Sequence, residues 1–223
     1  MNALLAILNV FIDPAETVRR IKGNKLAWFA PVILGGVIMG FYNLTLAPMT
    51  LQAMRNDPPP GMDAAKLDQM VGAMQFMSRF SAISAPVMFA IMTMVGAGLI
   101  FVACIVFQVN VRFPDVFNLL AHVGMINALQ TLAHLFVLKS KGPDIVMKEL
   151  IPNFGLEMML PDTAPKLLHG LLLFFSVFTI WHIVVLGIGF AALAQIPKGK
   201  AFLVTSPSWI IGLIFALVGS LFR

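Results

Sequence analysis

Apolar runs of about twenty residues recur along the chain between short polar segments, the pattern that bilayer hydrocarbon imposes on spanning helices. Five runs stand out: Leu26 to Leu46, Ile83 to Phe107, Phe117 to Leu138, Leu167 to Ala194 and Ala201 to Phe222. They predict an all-α fold, a polytopic transmembrane helical bundle of five spans with short interfacial helices. Lys25 bounds the first run, and Trp28 and Tyr42 lie near its ends, where amphipathic rings sit best. Pro31 and Pro86 fall in opening turns, where a missing N–H disrupts little. Lys139 and Lys141 close the third run, and the fourth is long enough to tilt. Pro207 crowds the carbonyl of Leu203, which predicts a kink in the fifth run. Alternatively, that helix starts at Ser206–Pro207, after an interfacial Ala201–Thr205 segment.

The segments between the runs divide the chain into an interfacial stretch, 1–25, and a membrane domain, 26–222. The apolar start lacks a basic leader and a small-residue cleavage motif, and its charges (Arg19, Arg20, Lys22, Lys25) follow the apolar part. That order predicts a retained segment, with Leu4, Leu5, Leu8 and Phe11 on the membrane surface. Pro58–Pro59–Pro60–Gly61 reads as a stiff turn before Lys66 to Phe80. There Leu67, Met70, Val71, Met74 and Met77 recur at helical spacing opposite Asp68, Gln69, Gln75 and Arg79. This pattern predicts an interfacial or bundle-capping helix, or a partner-binding face. A second outer loop carries an amphipathic stretch around Asp144 to Ile151 and a Pro152–Asn153–Phe154–Gly155 turn.

Composition narrows the reading. Of 223 residues, 59% are hydrophobic and 11% charged, which suits one compact bundle with no separate soluble domain. The net charge of +5 is scattered around the apolar runs, with no basic stripe or aromatic platform, so nucleic acid is excluded as a partner and anionic headgroups fit better. Placing Arg19, Arg20, Lys22, Lys25, Arg112, Lys198 and Lys200 on one side puts the basic residues in the short segments. The opposite loops interleave theirs with Asp57, Asp63, Asp68, Asp144, Glu149, Glu157 and Asp162. The positive-inside rule then predicts a cytoplasmic N-terminus and an outward C-terminus. Cys104 is the only cysteine, so no intrachain disulfide forms.

Three segments carry a family resemblance. Phe11-Ile12-Asp13-Pro14-Ala15-Glu16-Thr17-Val18-Arg19-Arg20 resembles the proline-bearing cytoplasmic lead-in of the Yip1 domain family of five-span membrane proteins. Arg112-Phe113-Pro114-Asp115-Val116-Phe117 resembles its tight link into the third span. Trp181, Gly187-Ile188-Gly189-Phe190 and Lys200-Ala201 resemble its fourth-to-fifth hairpin. The likeness covers nearly the whole chain and departs at His122, where the family usually has an aromatic residue, often tyrosine, with a proline soon after. Eukaryotic members are associated with vesicle trafficking and small GTPases. The compact, methionine-rich chain is similar to short bacterial-type members, which implies the inner membrane of a bacterial cell. No GTPase-binding patch carries over residue by residue.

Polar side chains inside the runs mark where chemistry can sit. Asn127, Gln130, Thr131 and His134 follow at i, i+3, i+4 and i+7, on one helical face that should meet protein or a wet cavity. Interhelical hydrogen-bond glue, a solute path, and a metal or proton-relay role are the three readings. In a hairpin of the third and fourth runs, His134 and His169 match in depth near one boundary, and His122 and His182 match further in. No intramembrane carboxylate or second cysteine completes a metal shell, and no catalytic signature is present. No catalytic residue, metal or cofactor is therefore expected. Gly36/Gly40, Gly187/Ala191 and Gly212/Ala216 are small-residue pairs for helix packing or self-association. The expected function is non-enzymatic: organising membrane or recruiting membrane-protein partners, with lipids or a second copy also as partners. The alternative is a small-solute or ion transporter or channel subunit using the third run's polar face.

Overall fold

The computed structural model describes residues 3–58, 64–142, 144–150, 154–161 and 163–221. Among them are α1 (Ala3–Asn9), α2 (Pro14–Ile21), α3 (Phe29–Asn56), α4 (Ala64–Val106), α5 (Phe113–Val123), α6 (Met125–Ser140), α7 (Lys166–Phe174), α8 (Val177–Ala194) and α9 (Lys198–Leu221). Among the described residues, five segments are long and apolar enough to cross a membrane: Phe29–Asn56, Leu67–Val106, Phe113–Ser140, Val177–Ala194 and Lys198–Leu221. Outward apolar side chains such as Ile83, Phe136 and Phe215 give these helices the surface that hydrocarbon solvates. Most of the turns expected at Pro58–Gly61 and Pro152–Gly155 lie outside the described residues.

Several boundaries differ from the sequence expectation, each for a local reason. Residues Lys25–Trp28 form a turn, so the first spanning helix begins at Phe29; it then runs through Pro48 to Asn56, with Ala53 fully buried. The helix expected at Lys66–Phe80 and the second span are one helix of 43 residues. At 1.5 Å per residue it measures about 65 Å, roughly twice the hydrocarbon thickness. Leu67 is buried and Met70, Val71 and Met74 are half-buried, but Met77 is exposed. The fourth run is two helices, because the Ser176 hydroxyl accepts the Thr179 N–H at 3.0 Å and starts α8 afresh. Of the stretch expected at Asp144 to Ile151, the described residues Asp144–Leu150 hold a short 3₁₀ turn, Met147–Glu149.

The fifth helix does not begin at Ser206. It begins at Lys198 and passes through Pro207. Pro207 cannot donate to the Leu203 carbonyl, but the Ser206 hydroxyl donates to it at 2.8 Å and replaces the missing bond.

The chain forms two compact units. The first comprises Met1–Val32, Ala90–Asn127 and Asn153–Arg223; the second comprises Ile33–Phe89 and Ala128–Pro152. The first unit's core gathers Val10, Val18, Ile100, Leu119, Ile126, Leu186 and Phe190. Its close approaches are made at small residues: Gly170 faces Ser220 and the Ala216 carbonyl, and Gly187 lies against the Phe202 ring. The second unit's core is smaller, centred on Ala53, Leu138, Ile145 and Leu150. There the Gly36/Gly40 pair meets Pro86 and Ala82 of α4, so that motif is used inside the chain.

Candidate functional site: a polar clasp in the first unit

The lead-in to α2 folds for capping reasons. Asp13 accepts the Glu16 N–H at 2.9 Å, Pro14 takes the opening position, and Pro14, Thr17, Val18 and Ile21 turn inward. Glu16 is left outside, bonded to Arg19 and Arg20 at 2.7 and 2.6 Å. Arg20 and then Arg19 hold its carboxyl below the usual carboxylate range. Phe11, expected on the membrane surface, instead packs its ring against Trp181 at 5.5 Å, while Leu5 and Leu8 stay exposed. Aromatic pairing with a half-buried tryptophan outweighs what an interfacial phenylalanine would gain.

The segment after α2 is held by one face of α5. Gly23 N–H donates to Asp115 Oδ1 at 2.9 Å, and Arg112 Nε donates to Asp115 Oδ2 at 2.8 Å. Trp28 N–H donates to Asn118 Oδ1 at 3.0 Å, and Asn118 Nδ2 donates to the Asn24 carbonyl at 2.7 Å. One turn further, His122 Nδ1 donates to the Asn118 carbonyl at 2.8 Å. Asp115, Asn118 and His122 are 4%, 1% and 1% exposed, so burial would cost each of them heavily without these partners. Gly23 has φ +82°, a left-handed turn that lets its N–H reach Asp115 without a side chain beneath Arg112. Lys22 Nζ donates to the Leu193 carbonyl at 3.2 Å, so the loop also reaches the end of α8.

The three segments that carried the resemblance therefore meet. Gly189 of α8 lies where a side chain would strike Leu119 of α5 and approach Pro14 of α2. Trp28 packs edge-on against Phe117 at 5.5 Å. Asp115, Asn118 and His122 stand at i, i+3 and i+7, the same spacing that singles out Asn127 to His134. The signal was present in the sequence, but Asp115 and Asn118 find backbone partners in the Gly23–Trp28 loop, which side-chain patterns cannot reveal.

The other polar residues are dispersed. Thr131 is buried and Gln130 and His134 are half-buried, but Asn127 is exposed, so the expected polar face is split. His134 lies 6.5 Å from Tyr42, ring to ring. His169 Nδ1 is 3.4 Å from Glu157 Oε1, a carboxylate read from sequence as a loop residue. His182 Nδ1 is buried with no hydrogen-bond partner among the described residues, as is Trp209 Nε1. Among the described residues, no three His, Cys, Asp or Glu side chains converge as a metal site requires.

Three recesses of about 340, 450 and 220 Å³ flank Pro48 in the second unit. Their walls include Gln52, Arg55, Gln75, Arg79 and Lys139, and none is lined by Asn127, Gln130 or His134.

These features define a multi-pass, all-α integral membrane protein whose most elaborate polar arrangement binds its own backbone. The Yip1 domain is recognised over residues 8–219, and the chain belongs to that family. Comparison with curated proteins gave no match, and neither did comparison with solved structures.

Proposed function

We propose that this protein is non-enzymatic and works by organising membrane or recruiting partner proteins, its N-terminus cytoplasmic and its C-terminus outside, in the inner membrane of a bacterial cell. The observation that carries the reading is how the clasp spends its polar groups. Asp115 and Asn118 are used to hold the Gly23–Trp28 loop and, through it, α2, with His122 bonded to the Asn118 carbonyl behind them, while Leu5 and Leu8 of α1 and the arginines of α2 stay outside. Such a site positions a surface; it does not present a reacting group. Basic residues concentrated in the short segments support the orientation.

Affinity purification of the full chain in mild detergent, with bound proteins, lipids and metals identified, tests the reading. A defined protein partner or second copy, retained through purification, is the expected result. Solute-specific flux in reconstituted vesicles, with no partner retained, would favour the transport alternative instead. Labelling of cysteines introduced near Gly23, Gly61, Gly142 and Gly199 should report inside, outside, outside and inside.

A further inference from the structure

The exposed surface beside the clasp combines two properties. Leu5, Leu8, Ile12 and Leu26 are 53%, 62%, 86% and 71% exposed, although Ala6, Ile7 and Val10 of the same segment are buried. Segment 5–12 is thus seated on the protein by one side and left apolar on the other. Around it lie exposed cations: Lys22 and Lys25 in the loop, Arg112 before α5, and Lys198 and Lys200 at the start of α9. The Lys22 bond to Leu193 and the approach of Arg112 to Gly23 place these groups at the same end of the unit. Arg112 is anchored through Nε, 2.8 Å from the buried Asp115 carboxylate, while its own side chain is 67% exposed. The acids here are the exposed Asp13, which caps α2, and the half-buried Glu16, which is matched by Arg19 and Arg20.

We propose that this face is a docking surface for an anionic phospholipid leaflet: the apolar side of segment 5–12 enters the headgroup boundary, and Lys25, Arg112, Lys198 and Lys200 meet lipid phosphates. Charge complementarity selects this occupant. A water-facing partner would leave Ile12 and Leu26 to be covered by matching apolar surface, whereas a bilayer supplies both the apolar boundary and the anions. The inference deepens the membrane-organising part of the reading above and rests on it. It adds that seating of the N-terminal segment responds to leaflet charge, at roughly fivefold in the seated-to-free ratio for each lysine near the surface.

The test uses the full chain carrying Leu8→Cys and Cys104→Ala, labelled with an environment-sensitive fluorophore. It is reconstituted in nanodiscs of phosphatidylcholine alone or with phosphatidylglycerol, each including a brominated quencher lipid. Blue-shifted emission and lipid quenching that rise with phosphatidylglycerol are expected. Both should fall in high salt, and in the triple variant Lys25→Gln, Lys198→Gln, Lys200→Gln. The salt arm needs no charge variant, so it stands even if the triple variant folds poorly. A label that remains in water in both compositions would overturn the proposal, and so would equal quenching in both. A blue shift without lipid quenching that grows with protein density would assign the surface to a second copy. Loss of partner capture in detergent bears on the recruiting role alone, so the two failures are distinguishable.

Discussion

The two units hold themselves together differently. In the first, polar groups distant in sequence are buried together and every member of the clasp is bonded: Asp115 to Gly23 and Arg112, Asn118 to Asn24 and Trp28. In the second, α3 and α4 approach through missing side chains, with a Cβ on Gly40 only 2.7 Å from the Ala82 carbonyl oxygen. Its charge pairs stay at the edge; Arg55 and Asp68, 3.6 Å apart, are 62% and 74% exposed. A buried, satisfied network is vulnerable to removal of one partner, whereas a backbone contact is vulnerable to addition of an atom. The same kind of substitution should therefore act with different force in the two regions.

Removing Asp115 should have the largest effect. Asp115→Ala orphans the Gly23 N–H and frees Arg112, and about 3 kcal/mol of stability should be lost, read as a lower thermal midpoint in detergent. Asp115→Asn keeps an acceptor for Gly23 and should recover part of that loss. An Asp115→Ala variant as stable as the parent would show that the clasp is ornamental. In the second unit, Gly36→Leu should cost about 2 kcal/mol, because its Cβ would overlap Pro86 backbone. Gly72→Ala, on the same helix pair with nothing within 4 Å, should instead stabilise by roughly 0.5 kcal/mol. Equal effects at Gly36 and Gly72 would remove the distinction between close approach and open surface.

The five spans were legible because hydrocarbon acts on composition, and composition is local. The helix breaks were less so. Ser176 and Ser206 are the same residue type in apolar runs, yet one starts a helix and the other mends it across a proline. Which of these a hydroxyl does depends on the free backbone group beside it. The polar candidates show the same limit. Asn127 to His134 have helical spacing but no single inward face, while Asp115 and Asn118 were hidden because their partners are peptide groups of a loop. Segments marked by family resemblance were the better guide, since a resemblance carries information about contacts that periodicity lacks.

Two histidines sharpen the comparison within the first unit. His122 donates to the Asn118 carbonyl, whereas His182 Nδ1 is buried without a partner among the described residues. His122→Leu should cost about 1.5 kcal/mol, and His182→Leu should be neutral or slightly stabilising because it removes an unsatisfied polar atom. Thermal midpoints of the two variants, measured side by side, decide it. If His182→Leu proved the more damaging, the isolated nitrogen would have to serve something other than packing.

The smallest effect is expected where the units behave alike, at their exposed carboxylates. Glu149 is held below the usual carboxylate range first by the Lys141 ammonium, 2.8 Å away, and then by the Val146 N–H at 3.2 Å. Glu16 owes its lowered value to Arg20 and Arg19. A depressed carboxyl contributes stability that is fully present above its ordinary pKa and lost as pH falls through the lowered one. Both contributions should therefore hold at neutral pH and vanish only in acid below the usual carboxylate range. The two should part company under mutation. Lys141→Met removes the largest cause at Glu149 but leaves the backbone bond, so its titration, followed through the Val146 amide resonance, should move only part of the way up. Replacing Arg19 and Arg20 together should return Glu16 to the ordinary range, because its lowering hydrogen bonds come from those side chains alone. A full return at Glu149 as well would mean that the Val146 bond does not hold its charge, and that the turn at Met147–Glu149 is fixed by packing against Ile145 and Leu150 instead.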